Sequence, residues 1–201
     1  MERTTVTYQA ATSVDDELAP IALGAVVEQA RGSLPFALLH GEALVACAAW
    51  AMGEAGIHLL DLTTSWEAVR EAGAPLVWHD ALCPMTPPGF LAACVRRAVA
   101  DGVVVAGVLP VTDTVKELVE TPDGPVVGAT YDRDGLRELA SPLVLPAAVV
   151  AGLPDWPSPD FPAVLDLLRE RAAVDLLEAP ASARRVRSPA DLSRLEALTT
   201  R

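Results

Sequence analysis

Positive charge is scarce in this chain. Its 201 residues include 27 acidic and 15 basic ones, which gives a formal net charge of −12, and Lys116 is the only lysine. This balance argues against a nucleic-acid-binding protein, which needs a basic face for the phosphates. It also disfavours docking on an anionic lipid surface. Only 4% of the residues are aromatic, but 51% are hydrophobic, which is enough for a buried core and excludes a disordered chain.

Long apolar runs and cysteine motifs are also missing. The longest apolar stretch, 140–153, is broken by Pro142 and Pro146, so no segment reaches the roughly 18 residues of a membrane-spanning helix. The N-terminus lacks the basic start and apolar block of a signal peptide. Three cysteines without a C-x-x-C spacing indicate reduced thiols in a reducing compartment. We therefore expect a cytoplasmic protein without a membrane anchor.

Common catalytic motifs are absent as well. The sequence contains no G-x-x-x-x-G-K-[ST], H-E-x-x-H or G-x-S-x-G pattern. It also has no internal repeat and no low-complexity tract. The length suits one sizeable core and is too short for two ordinary domains. We therefore predict a single domain over 1–201, with a loose leader at 1–18.

Short apolar runs alternate with helical segments along the chain. Strands are predicted at 20–27, 57–62, 75–79, 103–110 and 174–180. Helices are predicted at 41–52, 64–72, 86–101, 146–151, 161–172 and 188–199. This alternation predicts an α/β fold with a doubly wound, mostly parallel sheet, covered by helices on both faces. Ligands in such folds bind at the carboxyl ends of the strands, which is where a site is expected.

Local signals predict element ends and one hairpin. Thr64, with a glutamate three residues later, has the form of a capping box. Thr86 before a proline predicts the N-cap of the next helix, and Gly102 follows that helix. The segment 114–131 alternates around a central Pro-Asp-Gly and therefore predicts a hairpin or arm.

Four segments that follow predicted strands carry polar and charged residues in a fixed order. They are HDALCP at 79–84, PVTDTVK at 110–116, DRDGL at 132–136 with Ser-Pro at 141–142, and RVRSPADL at 185–192. In this order and spacing they resemble the methylerythritol phosphate cytidylyltransferase family, over about residues 75–200. The resemblance implies a Rossmann-like nucleotidyltransferase fold. It also implies a homodimer paired through the β-arm at 114–131, with composite sites.

The resemblance also implies roles for individual residues. Asp80 matches the family's aspartate beside the sugar-alcohol phosphate and the metal, so it is the implied catalytic residue and Mg²⁺ ligand. Thr114 and Arg133 match residues that a partner's arm contributes to the substrate's phosphate, and Arg185 stands near a substrate-binding lysine. Cations and hydroxyl groups converging in this way suit a phosphate dianion. The implied reaction transfers CMP from CTP to a phosphorylated polyol.

The first loop departs from the family's pattern, in which a glycine-rich segment with an arginine and a lysine holds the triphosphate. Here the loop is shorter and retains one glycine and one cation, Gly32 and Arg31. These two are the candidate nucleotide-binding residues, with Arg31 also a candidate catalytic residue. Phe36 replaces the lysine, and Cys83 replaces the arginine of the second motif. The losses concentrate on the nucleotide half of the expected site.

Several interpretations stay open on the sequence alone. The chain is a cytidylyltransferase, or a catalytically impaired relative that keeps a phosphate pocket of Thr114, Arg133 and Arg185 and acts as a binding, regulatory or partner subunit. A third interpretation pairs it with an intact paralogue that supplies the catalytic loop. Thr114 and Arg133 equally fit a structural role in the arm, and Arg185 equally fits a solvated basic face. His79 is interpreted as a buried histidine at the end of a strand.

Overall fold

The computed structural model describes residues 22–61 and 63–200 and contains a central six-stranded sheet. The strands in chain order are β1 Ala22–Val27, β2 Leu38–Leu39, β3 Glu42–Ala43, β4 Ile57–Leu59, β5 Leu76–Asp80, β6 Val104–Pro110, β7 Val115–Thr121, β8 Gly124–Tyr131, β9 Arg137–Leu145 and β10 Val174–Glu178. The helices are α1 Leu44–Glu54, α2 Trp66–Glu71, α3 Pro88–Asp101, α4 Ala147–Gly152, α5 Phe161–Arg169 and α6 Pro189–Thr199. The predicted leader at 1–18 and the start of the first predicted strand lie outside the described residues.

The central sheet has the order β10-β6-β9-β5-β1-β4. Strands β4, β1 and β5 pair in parallel, as do β10 and β6, while β9 runs antiparallel between β5 and β6. The predicted mostly parallel α/β sheet is therefore confirmed. Because the parallel strands share one direction, the last residues of β1 and β5 lie at the same edge, with Val27 paired to Asp80.

Strand β9 was not predicted, although it lies in the middle of the sheet. A proline inside a run argues against a central strand, because it cannot donate to the ladder. The pairing of β6 with β9 is irregular here: Ala106 pairs with Leu143 and Val108 with Leu139, so residues 140–142 of β9 lie opposite Gly107 alone. At this point a Cβ on Gly107 would lie 2.9 Å from the carbonyl oxygen of Ser141. Pro142 lies outside the paired residues of both neighbouring strands, so its missing N–H costs no ladder bond. The close backbone approach explains why residue 107 has no side chain.

Helices cover both faces of the sheet, as the alternation predicts. On one face, α1 and α3 pack against the sheet through a cluster that includes Met52, Leu91 and Val77. On the other, α2, α4 and α5 pack through a cluster that includes Trp78 and Leu168. Successive residues of β5 contribute to opposite faces, which is the two-residue period of a strand buried on both sides. Within the described ranges, no helix has the length and hydropathy needed to span a bilayer.

Two predicted N-caps are wrong by one residue or more. Helix α2 is capped by Ser65, whose side chain accepts the N–H of Ala68, and not by Thr64. The hydroxyl of Thr86 donates to the carbonyl oxygen of Cys83, and α3 begins two residues later. At α2 a neighbouring hydroxyl residue takes the cap, whereas α3 has Pro87 at its N-cap position and no side-chain cap. The predicted end of α3 at Gly102 is confirmed, since this residue is left-handed with φ 65°.

The hairpin predicted at 114–131 is confirmed as the antiparallel pair β7–β8, separate from the central sheet. Gly124 has φ 109° at its turn, a conformation that favours glycine. Leu118 and Val127 face each other across the two strands, and both are largely exposed. The arm therefore presents apolar side chains to solvent in the single chain.

His79 is completely buried, which confirms its interpretation as a histidine at a strand end. Its Nδ1 lies 2.6 Å from Oγ of Ser141, which also accepts the backbone N–H of Asp80 at 2.9 Å. Burial lowers the pKa of His79 to about 4, although the negative charge of Asp80 opposes this shift. The imidazole is therefore neutral in the folded protein at neutral pH.

This histidine predicts a loss of stability in acid. Its pKa is about 4 when folded against an ordinary value of 6.5, so mainly the unfolded chain gains a proton as the pH falls from 6.5 towards 4. The stability present above pH 6.5 therefore declines in this window, by about 3 kcal/mol at its lower end. Urea unfolding at several pH values measures this slope. The free energy of unfolding should depend less on pH in a His79→Gln variant than in the wild-type protein. The control His58→Gln, at an exposed position, should keep the wild-type dependence. The same pH dependence in all three proteins would refute the role of His79.

Candidate functional site

The carboxyl edge of the sheet brings three distant charged residues together. Asp80 ends β5, and Arg31 follows the neighbouring strand β1, whose register pairs Val27 with Asp80. Arg185 lies between β10 and α6, in a segment that is attached to the loop after β5. The backbone N–H of Val186 donates to the carbonyl oxygen of Leu82 at 2.7 Å. The sheet register and this hydrogen bond together position the three side chains.

Asp80 bridges the two arginines. Arg31 Nε lies 3.0 Å from Oδ1, and Arg185 Nε lies 2.9 Å from Oδ2. The backbone N–H of Leu82 also donates to Oδ1, at 3.0 Å. The side chains of Asp80 and Arg31 are 5% and 8% exposed, whereas that of Arg185 is 30% exposed. The cluster is therefore a mostly buried ionic group with one accessible arginine.

Arg31 is held on several sides. Its Nη2 donates to the carbonyl oxygen of Pro159 at 2.6 Å, and its Nη1 donates to the carbonyl oxygen of Gln29 at 3.3 Å. Its guanidinium carbon also lies 5.8 Å from the ring centroid of Phe161, within cation–π range. These contacts occupy the one cation of the first loop with groups of the protein itself.

A cavity of about 410 Å³ opens over this cluster. Its lining residues are Ala30, Arg31, Asp80, Cys83, Leu139, Ala140, Pro159, Asp160, Phe161, Pro162, Arg185 and Arg187. A groove of about 810 Å³ beside Trp50 is larger, but it is mainly apolar and contains one charged residue, Glu42. We take the smaller cavity as the candidate site because it has charged groups at the carboxyl edge of the sheet.

The charged side chains of the cavity differ in how many of their polar atoms already have a partner within the protein. Arg187 forms an ion pair with Glu138, and the side chain of Asp160 caps α5 by accepting the N–H of Ala163. Arg185 uses Nε on Asp80, while its two terminal nitrogens make no hydrogen bond to any described residue. Arg185 is thus an accessible donor for an anion in this cavity.

The predicted site residues fall into two groups. Arg31, Asp80 and Arg185 meet in the cavity, as expected from the motifs. Thr114 and Arg133 are exposed beside the arm, where Arg133 donates to the carbonyl oxygen of Thr112, and neither lines the cavity of its own chain.

Two further residues named in the sequence analysis, Gly32 and Cys83, differ in their position relative to the cavity. Gly32 is exposed next to Arg31, with φ 61°, and does not line it. Cys83 lines the cavity, but burial, and then the charge of Asp80, raise the pKa of its thiol and so favour the protonated form. The contribution of Pro159 was missed, because a backbone carbonyl has no sequence signature.

The residues around Asp80 do not fit a magnesium site in this arrangement. Its oxygens accept three hydrogen bonds, two of them from guanidinium groups, and Asp160 is engaged in capping. Across the described ranges, no group of three or more His, Cys, Asp or Glu side chains is arranged to hold a metal ion. A divalent cation beside Asp80 would meet one negative and two positive charges. The assignment of Mg²⁺ to Asp80 stays a prediction that this geometry does not favour.

Loss of the Asp80 charge should destabilise the fold. Asp80→Asn leaves the buried Arg31 without a counter-ion, so we expect the free energy of unfolding to fall by about 3 kcal/mol. Denaturant unfolding at neutral pH measures this change. Asp166→Asn is a matched control, because this exposed residue pairs loosely with Arg169 at 3.7 Å and should cost less than about 1 kcal/mol. Equal effects of the two substitutions would contradict the buried ionic cluster.

Comparisons with known proteins bear on this site and fold. No protein-family model matches the chain. The chain is 37% identical over 105 residues to the 2-C-methyl-D-erythritol 4-phosphate cytidylyltransferase of Corynebacterium glutamicum, covering 52% of this chain and 37% of the relative. It is 38% identical over 140 residues to that of Frankia casuarinae, covering 67% of this chain and 50% of the relative. The matches span between 17% and 50% of the length of the curated relatives.

Solved structures agree in fold over nearly the whole chain. The 4-diphosphocytidyl-2C-methyl-D-erythritol synthase of Anaerococcus prevotii superposes with a TM-score of 0.64 at 13% identity, covering 91% of this chain and 97% of that one. The 2-C-methyl-D-erythritol 4-phosphate cytidylyltransferase of Thermus thermophilus gives 0.62 at 20% identity, with 89% and 98% covered. At these identities the structures show the shared fold. Together with the sequence matches, they confirm the resemblance: the chain is homologous to the 2-C-methyl-D-erythritol 4-phosphate cytidylyltransferase family.

Proposed function

We propose that the protein is a cytidylyltransferase that acts on a sugar-alcohol phosphate. In this reaction an oxygen of the acceptor's phosphate attacks the α-phosphorus of CTP, and the bond to the leaving pyrophosphate breaks. The observation that carries the proposal is the meeting of Asp80 and Arg185 in one cavity at the carboxyl edge of β5. The homology supplies the reaction class.

The acceptor half of this proposal rests on Arg185. Its side chain is 30% exposed and is oriented by Asp80 through Nε, so a guanidinium fork remains for a phosphate group. Arginine binds phosphate oxygens bidentately, which gives orientation as well as affinity. The acceptor phosphate would therefore be held close to the place where β1 and β5 end.

The nucleotide half rests on Arg31 and Gly32. A triphosphate would need Arg31 to exchange its bonds to Asp80 and Pro159 for bonds to phosphate oxygens. Each missing charged donor costs on the order of 10²–10³ in rate, and this first loop has one cation. We therefore expect slow turnover compared with enzymes that have a complete loop.

The composite site belongs to the same proposal. We propose a homodimer in which the arm at 114–131 brings Thr114 and Arg133 to the cavity of the partner. Exposed apolar side chains on the arm support it, since a two-stranded hairpin with such a face gains stability by packing against another surface. The positions of Thr114 and Arg133 outside the cavity of their own chain are consistent with this arrangement.

A second candidate function is a catalytically impaired relative that binds a phosphorylated ligand without transferring a nucleotide. The observation that favours it is the enclosure of Arg31, which is 8% exposed and paired with Asp80. A protein of this kind would act as a binding, regulatory or partner subunit. It shares the acceptor pocket with the first candidate and differs in its response to CTP.

Calorimetric titration with CTP and Mg²⁺, followed by a pyrophosphate-release assay with 2-C-methyl-D-erythritol 4-phosphate, separates the two candidates. The cytidylyltransferase proposal predicts CTP binding below about 1 mM and release of one pyrophosphate for each acceptor consumed. An Arg31→Gln variant should lose this release, while Arg184→Gln, an exposed control, should keep it. Absence of heat and of pyrophosphate with a folded wild-type protein would reject the enzyme and favour the impaired relative.

Disruption of the arm's apolar face should dissociate the proposed dimer. Val127 is 70% exposed in the single chain, so Val127→Asp would place a charge in the interface and shift the protein towards monomer in sedimentation equilibrium. Val99→Asp is the control, because Val99 is exposed on α3 outside the arm. A monomeric wild-type protein, or a dimer unaffected by the charge at residue 127, would refute the arm as the interface.

A further inference from the structure

The carboxylate of Asp80 accepts hydrogen bonds from two arginines, which leaves few of its lone pairs free to bind a metal ion. An ionised carboxylate offers about four lone-pair sites, and three are used by Arg31, Arg185 and the N–H of Leu82. The remaining site is on Oδ2, the oxygen that accepts from Arg185. A cation at this position would lie against a guanidinium group.

The hydrogen bond from Arg185 Nε to Asp80 also orients the guanidinium group for binding an anion. Since Nε is committed to Asp80 at 2.9 Å, the guanidinium is fixed while both terminal nitrogens stay without a described partner. Fixing a long side chain before binding reduces the entropy lost when a ligand arrives. Its backbone is also restrained, because the next residue donates to the carbonyl oxygen of Leu82.

The charge of the cluster favours an anionic ligand. Arg31 and Arg185 together carry two positive charges against the one negative charge of Asp80. The nearby Arg187 is paired with Glu138, and the carboxylate of Asp160, which caps α5, is a further negative charge in the lining. A phosphate dianion on the terminal nitrogens of Arg185 therefore meets the positive end of the cluster, whereas a divalent cation on Asp80 would lie beside two guanidinium groups.

From this arrangement we propose that the cavity binds a phosphomonoester dianion through Arg185 without a divalent metal. Asp80 is then a positioning residue that orients the two arginines, and its carboxylate is no metal ligand. The inference rests on the proposed function for the identity of the acceptor class, and it changes the role of Asp80 within it.

The test is calorimetric titration of the full-length protein with inorganic phosphate and with glycerol phosphate, in excess EDTA and in excess Mg²⁺. The dissociation constants should agree within about threefold between the two conditions. Arg185→Gln should weaken binding about tenfold or more, whereas Arg184→Gln, the neighbouring exposed arginine, should leave it unchanged.

Asp80→Asn separates a positioning role from a metal-binding role. If Asp80 orients Arg185, the substitution weakens phosphate binding by the same factor in EDTA and in Mg²⁺. A metal ligand would instead show its effect in Mg²⁺ alone. If this variant does not fold, titration of the wild-type protein with Mn²⁺ replaces it, and we expect no Mn²⁺ binding at the cavity.

Phosphate binding that requires Mg²⁺, or Mn²⁺ binding that Asp80→Asn abolishes, would overturn the inference and leave the proposed transferase intact. No binding of either phosphate probe in either condition would overturn both the inference and the acceptor half of the proposed function. The CTP titration stays independent of both results, so the failures can be told apart.

Discussion

The bridge from Arg31 to Asp80 to Arg185 is the interaction on which the candidate site depends. Removal of charges from water costs several kcal/mol for each ion, and geometry and added hydrogen bonds must offset this cost. Asp80 meets this requirement with two guanidinium groups and a backbone N–H. One carboxylate thereby joins the loop after β1, the end of β5 and the segment before α6.

Asp80, the central residue of the bridge, has a fixed position because it ends a strand in the middle of the sheet. Asp80 is paired with Val27 of β1, and its N–H donates to Ser141 of the antiparallel strand β9. The arm differs in kind, since β7 and β8 pair with each other and contribute nothing to the central sheet. Under the proposed function, phosphate recognition would divide between residues fixed by the sheet and arm residues whose position depends on a second chain.

Sequence reasoning predicted the α/β alternation, the arm and the three charged residues of the cavity, because each has a local pattern or motif. It missed β9, since Pro142 interrupts the run and no local pattern shows that residues 140–142 lie opposite Gly107 alone. It misplaced the cap of α2 because Ser65 competes with Thr64, and that of α3 because the hydroxyl of Thr86 donates to the carbonyl oxygen of Cys83 instead. The assignment of Mg²⁺ to Asp80 stays a prediction, and the sequence could not show which groups occupy its oxygens, because they come from segments 49 and 105 residues away.

The most direct test of this account is a crystal structure of the protein with a bound phosphomonoester, grown in the presence of EDTA. The account predicts the phosphate group on the terminal nitrogens of Arg185, with the bonds from Asp80 to both arginines retained. A phosphate bound elsewhere, or an Asp80 that has left the arginines to face the ligand, would contradict it.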